Sequence, residues 1–178
     1  MITAFEGDHV NADELRVLQA PLKDKYRSDP ESAVLTLQAT GSVENEDVAC
    51  RVNTFQGDVT AGLHPATGGD GSMACSANML LEALIGCAGV TLRAVATSLG
   101  IPLRGAKITA EGDLDFRGTL GVSKEAPIGL TAIRLRFDLD TDASDEQVEK
   151  LLKLTERYCV VAQTIKSPPP ITVLREPK

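Results

Sequence analysis

The stretch from Ser76 to Leu99 constrains this chain more than any other. Alanine, leucine and methionine dominate it, and no proline interrupts it. Apolar residues fall on nearly every face, which predicts a helix buried over most of its circumference. Ser76 or Asn78 can cap the start, because a side-chain oxygen there accepts from unpaired backbone N–H groups. Gly100 supplies the stop, and Pro102 follows as expected beyond a helix end. Gly86 and Gly89 flank Cys87 near the middle. Each glycine costs about 1 kcal/mol in a helix interior relative to alanine. Close approach of another backbone, or of a ligand, to the cysteine face is therefore expected. The length would suffice to span a membrane. Glu82 and Arg93 lie inside the stretch, however, and a charge near the bilayer centre is expensive. No membrane partner is expected.

The chain has 178 residues, enough for one domain, or one domain plus an extension. With aromatic residues at 3% and no tryptophan, its core must be aliphatic. The net charge of −7 argues against a nucleic-acid partner, since phosphate binding needs clustered lysine and arginine. Met1 to Asp8 carries neither a basic start nor an apolar run, so no leader is read there and a cytoplasmic location is expected. Structural disulfides are rare in that compartment. The four cysteines, Cys50, Cys75, Cys87 and Cys159, contain no C-x-x-C pair, and His9 and His64 are the only histidines. A metal site is not expected. Inert buried thiols and redox-active thiols are the two readings left open.

Elsewhere the patterns change along the chain. Asn11 to Tyr26 is acidic early and basic late, which suits a helix dipole, with Asn11 or Asp13 as cap and Pro21 dividing it into two pieces. Leu15, Leu18 and Leu22 sit at helical spacing on what reads as a peripheral arm. Residues 1–30 are taken as that arm and 31–178 as the main domain. Strands are expected at Val34–Thr40, Asp47–Thr54 and Val59–Leu63. Val48, Cys50 and Val52 share one face of the second, and Ala49, Arg51 and Asn53 the other. A turn is expected over 41–46. A long glycine-rich loop, His64 to Cys75, lacks the phosphate-loop order and reads as the wall of a site or a surface crossover. Further strands are expected at Leu103–Phe116, with a bulge or bend at Gly112, and at Ile128–Asp140. In the latter, Ile133, Leu135, Phe137 and Leu139 alternate with charged residues. Ser144 to Gln147 is a capping-box signature opening a helix with Val148, Leu151, Leu152 and Thr155 on its apolar stripe. That helix runs on through Cys159 to Ile165, Ser167 to Pro170 stop it, and Ile171–Leu174 reads as a last short strand. The fold class is α+β, with antiparallel hairpins around a central helix.

Two cysteines stand out by context. Cys87 lies between glycines in the most apolar helix. Cys159 follows Arg157 and Tyr158 near a helix end, where a nearby arginine or a second helix start would lower a thiol pKa. Gly68-Gly69-Asp70-Gly71, then Leu80-Leu81-Glu82-Ala83-Leu84-Ile85-Gly86-Cys87, then Arg157-Tyr158-Cys159-Val160-Val161, resemble the OsmC/Ohr family of osmotically induced and organic hydroperoxide resistance proteins. The resemblance spans Ala33 to Leu174. It implies an intertwined homodimer in which a curved antiparallel sheet wraps two long central helices. It also implies thiol-dependent reduction of an apolar organic hydroperoxide without a cofactor. Cys87 would be the peroxidatic thiol, Cys159 the resolving thiol, and an external dithiol the reductant. Peroxidase members add an arginine and a glutamate beside the thiolate, the glutamate in an Asn-Pro-Glu-type turn. Here that turn reads Cys75-Ser76-Ala77-Asn78, with neither proline nor glutamate, and Glu82 lies inside the helix. Arg51 is the candidate arginine, or a solvated strand residue. His64 could serve as base or donor, and Cys75 is a third thiol before the helix. The other class of function on this scaffold is non-enzymatic binding of an apolar or acyl ligand in an interface pocket.

Overall fold

A computed structural model describes residues 10–43 and 47–175. The segment Met1–Asp8, His9, and residues 44–46 of the expected turn lie outside the described residues.

The chain opens with helix α1, Ala12–Ser28, and a 3-10 turn, Pro30–Ala33. Asn11 is the cap: its side chain accepts from the N–H of Asp13 and Glu14, and Glu14 accepts from the N–H of Asn11 at 2.9 Å. Contrary to expectation, α1 runs unbroken through Pro21. Proline removes one helical N–H. No residue of α1 is buried, so water can reach the carbonyl left without a donor. Leu18 and Leu22 remain about half exposed, at 48% and 49%.

A three-stranded antiparallel sheet follows, formed by β1 (Thr40–Ser42), β2 (Ala49–Thr54) and β3 (Gly57–Gly62) in that order. The expected strand at Val34–Thr40 shrinks to its end. Thr40 pairs with Asn53, and β2 finishes at Thr54, so the preceding residues run past the hairpin tip and pair with nothing among the described residues. Val34, Leu35 and Leu37 are strongly exposed. Along β2 the expected alternation appears only in part: Cys50 and Val52 are half-buried and Arg51 and Asn53 exposed, but Ala49 is half-buried too and Val48 is 75% exposed.

The loop to the long helix folds back on β3. Gly62 N–H donates to the Ala74 carbonyl and Ala74 N–H to that of Thr60, both at 3.0 Å. Only glycine fits at position 69, where a Cβ would lie 1.8 Å from the Leu63 carbonyl oxygen.

Helix α2, Ser76–Leu99, has the expected bounds. Its N-cap is Cys75, with no side-chain hydrogen bond, rather than Ser76 or Asn78. Gly100 ends it in the left-handed region (φ 65°), where few other residues are unstrained. By length and composition α2 could cross a membrane. Within the fold its apolar character serves packing: Leu84, Ala88, Leu92 and Ala96 form one buried stripe at four-residue steps. Burial is thus narrower than expected. Glu82, Ala83, Gly86 and Val90 are exposed, because β4, α4 and α5 cover one side of the helix.

The hairpin β4 (Gly105–Leu114) and β5 (Leu130–Asp140) is antiparallel, with Ala110 opposite Leu135 and Ile108 opposite Phe137. Its irregularity falls between Asp113 and Leu114, next to Gly112. The short helix α3, Phe116–Thr119, lies in the connection. On the outer face, Arg134 pairs with Glu111 and Asp113, and Arg136 with Glu111.

Helix α4, Asp145–Tyr158, opens on the capping box of Ser144 and Gln147, and α5 is Val160–Lys166. No strand forms at Ile171–Leu174, which has no partner within the described residues; Ile171 and Val173 are each 89% exposed. The core is aliphatic, as the composition requires. Leu92, Ala96, Ile101, Leu103 and Leu151 form one cluster, and Leu84, Ala88 and Cys159 a second. Phe137 packs on both. The architecture is α+β, with its strands divided between two antiparallel sheets.

Candidate active site

The second cluster is where chemistry is possible. Cys87 sits one position before Ala88 on the buried stripe of α2, so its side chain lies at the edge of that stripe and is half-buried. Cys159 is 1% exposed. It is the single residue between α4 and α5, the C-cap of one and the N-cap of the other, with extended backbone (φ −72°, ψ 104°). Cys87 packs against the buried cluster that holds Cys159, and both are free thiols.

The surroundings drive the two thiols apart. Burial pushes Cys87 up. The N–H of Val161, the Cys159 thiol, the N–H of Val160 and the Thr91 hydroxyl all favour its ionised sulfur and outweigh burial, so Cys87 is held below the ordinary thiol value. Thr91 contributes least, since its hydroxyl donates to the Cys87 carbonyl at 2.8 Å. For Cys159 burial again acts first and upward. The N–H groups of Ala162 and Val161 oppose it, but the Cys87 sulfur, as hydrogen-bond acceptor and as a charge, adds to it, and Cys159 is held above the ordinary value. Cys87 therefore ionises first while Cys159 keeps its proton. The groups that favour the Cys87 thiolate are neutral.

A cleft of about 690 Å³ opens beside Cys159. Leu84, Ala88, Ile133, Leu135 and Phe137 make its walls apolar, and Lys153 and Glu156 lie at its charged margin. It can hold a small apolar molecule.

The remaining sequence candidates lie elsewhere. Arg51 is an exposed residue of β2, opposite Thr60 and Ser42, on a different sheet from the hairpin next to the thiols. The Nδ1 of His64 accepts from Ala66 N–H at 3.0 Å, and its ring stacks on Phe116 with centroids 5.0 Å apart. Its geometry serves the loop. Cys75 precedes α2, and twelve residues of helical rise set it about 18 Å from Cys87 along the axis. The glycines also differ from expectation: a Cβ on Gly89 would meet Ile108 at 3.3 Å, while one on Gly86 would meet nothing within 4 Å. The backbone donors Val160 and Val161 escaped the sequence reading, because main-chain N–H groups leave no residue signature. The available signal was the position of Cys159 between two helical runs.

A family model described as OsmC-like protein matches residues 69–174. Comparison with curated proteins found no match. Among solved structures, the chain is similar to an OsmC-like protein from Mycoplasma pneumoniae (TM-score 0.64, 17% identity, 75% of this chain and 89% of that one). An organic hydroperoxide resistance protein OsmC from Legionella pneumophila is similar at TM-score 0.60 and 17% identity, over 75% and 93% of the two chains. One from Elizabethkingia anophelis, an organic hydroperoxide resistance protein with bound thiocyanate, gives 0.61 and 14%, over 76% and 91%. At these identities the structures establish a shared fold.

Proposed function

The chain belongs to the OsmC-like protein family, and from that premise we propose that it is a thiol-dependent peroxidase acting on organic hydroperoxides through Cys87 and Cys159. The observation that carries this is the contact between a sulfur favoured as thiolate and a second thiol that keeps its proton. The Cys87 thiolate attacks the terminal oxygen of the hydroperoxide. The O–O bond breaks, the alkoxide takes a proton and leaves as an alcohol, and Cys87 becomes a sulfenic acid. Cys159 then attacks that sulfur, water leaves, and a Cys87–Cys159 disulfide forms. An external dithiol reduces the disulfide and is itself oxidised. The largely apolar cleft is lined by Cys159 and not by Cys87, and its walls beside the pair suit an organic rather than hydrogen peroxide. Arg51 lies on another sheet within one chain, so it is proposed as the guanidinium of the site only from the second copy of a homodimer.

A homodimer belongs to this proposal. Leu35, Leu37, Ile171 and Val173 are apolar, strand-like in pattern and exposed, and one side of α2 is open; a second copy would cover them. We take residues 1–30 as an arm outside the working domain of 31–178, and the cytoplasm, which supplies dithiol reductants, as the location.

The deciding experiment is intact-mass spectrometry with peptide mapping under non-reducing conditions, after one equivalent of cumene hydroperoxide. Loss of two hydrogens at Cys87–Cys159 is expected. Slow oxidation scattered over all four cysteines would overturn the reading. The apolar cleft then favours the second function, binding of an apolar or acyl ligand, which native mass spectrometry of the purified protein would detect.

A further inference from the structure

The bend at Cys159 redirects hydrogen bonds that a continuing helix would use internally. In an unbroken helix, Val160 N–H would donate to the Glu156 carbonyl and Val161 N–H to that of Arg157. The chain departs from this at Cys159: its own N–H still donates to the Thr155 carbonyl at 2.9 Å, but Val160 and Val161 face the Cys87 sulfur. The last carbonyls of α4 are then without intrahelical donors. One of them is satisfied by a side chain. The Gln163 amide, Nε2, donates to the Glu156 carbonyl at 2.8 Å. Gln163 also donates its backbone N–H to the Cys159 carbonyl at 2.9 Å, so one residue ties the bend at both positions. Lys166 adds an ion pair to the Glu156 carboxylate across the same angle.

We infer that Gln163 is a positioning residue of this site: its amide takes over the Glu156 carbonyl and thereby keeps the N–H groups of Val160 and Val161 turned towards Cys87. Without that amide, the Glu156 carbonyl competes for the Val160 N–H, and α4 gains by continuing straight through Cys159. Gln163 touches neither thiol and takes no part in the proposed reaction. The inference rests on the peroxidase reading only for its consequence in turnover; its direct readout is the ionisation of Cys87.

The test is the pH profile of Cys87 alkylation by iodoacetamide, followed on the Cys87 peptide by mass spectrometry in the full chain. Gln163→Met keeps the side-chain length and alters no charge, so Glu149, Lys153 and Glu156 of α4 and Lys166 of α5 are unchanged. Gln163→Ala repeats the deletion by truncation. Thr164→Ala is the control, since that hydroxyl bonds only within α5, to the Val160 carbonyl at 2.8 Å. Both Gln163 variants should move the midpoint upward and slow alkylation near pH 7 roughly fivefold, the scale of one lost neutral hydrogen bond, with rates converging at high pH. Thr164→Ala should retain the wild-type profile. An unmoved midpoint in folded Gln163 variants, or an equal shift in Thr164→Ala, overturns the inference. If the midpoint moves as expected yet wild-type protein leaves cumene hydroperoxide intact, the positioning role stands and the peroxidase reading fails.

Discussion

The thiols of Cys87 and Cys159 lie in one buried cluster, yet their surroundings shift them in opposite directions. Main-chain N–H groups favour the charge on Cys87, while burial and the neighbouring Cys87 sulfur keep the proton on Cys159. Asymmetry of this kind distinguishes two thiols ready for sequential chemistry from two that merely pack.

The first consequence concerns pH. Cys87 is depressed, so peroxide reduction should rise with pH through that depressed midpoint and level off at a lower pH than an ordinary thiol would. Between the depressed folded value and the unfolded value, the unfolded chain binds more protons. The Cys87 contribution to stability therefore grows with pH across that window and is lost as pH falls through the folded value. Cys159 is raised, so its contribution is lost as pH rises from the unfolded value through the folded one. Stopped-flow rates and unfolding midpoints over the alkaline range check both signs.

Substitution separates the two roles. Cys87→Ser should abolish turnover. Cys159→Ser should consume one equivalent of hydroperoxide and then stop at a sulfenic acid, which a dimedone adduct on the Cys87 peptide would record. Normal multiple turnover by either variant would contradict the assignment.

For Arg51, the expected outcome of Arg51→Ala is a fall of about a hundredfold in kcat/KM for cumene hydroperoxide, the scale of losing one charge-stabilising donor. Unchanged kinetics would remove Arg51 from the site.

The open side of α2 yields a test of assembly. Gly86 has free space around it within one chain. Gly86→Leu should therefore leave each subunit folded while dissociating the proposed homodimer, read as a halved mass in light scattering. Retention of the wild-type mass would place any interface elsewhere.

Core packing sets the scale of stability effects. Leu92 and Leu151 are 1% and 0% exposed, and truncating either to alanine should cost about 2–5 kcal/mol in denaturant unfolding. Leu22→Ala, on the half-exposed arm, should cost well under that.

Much of the architecture was legible because its signals are local. Helix α2 announces itself by composition and by Gly100, α4 by its capping box, and β5 by strict alternation from Ile133 to Leu139. The family resemblance likewise rested on short motifs around Cys87 and Cys159. Where expectation failed, a partner was required. Val34 to Ala39 and Ile171 to Leu174 have strand-forming residues but nothing within the described chain to pair with. Pro21 reads as a break in the sequence, because its cost in the helix depends on the exposure of α1, which residues nearby in sequence do not reveal. Sequence alone thus determined which segments are helical or extended and which two thiols to watch, because propensity, capping and motif act over a few residues. Only the tertiary structure decided that Cys159 bends the chain, that two main-chain N–H groups face Cys87, and which thiol ionises first. Those outcomes depend on desolvation and on donors brought from distant positions, neither of which a residue's neighbours in sequence reveal.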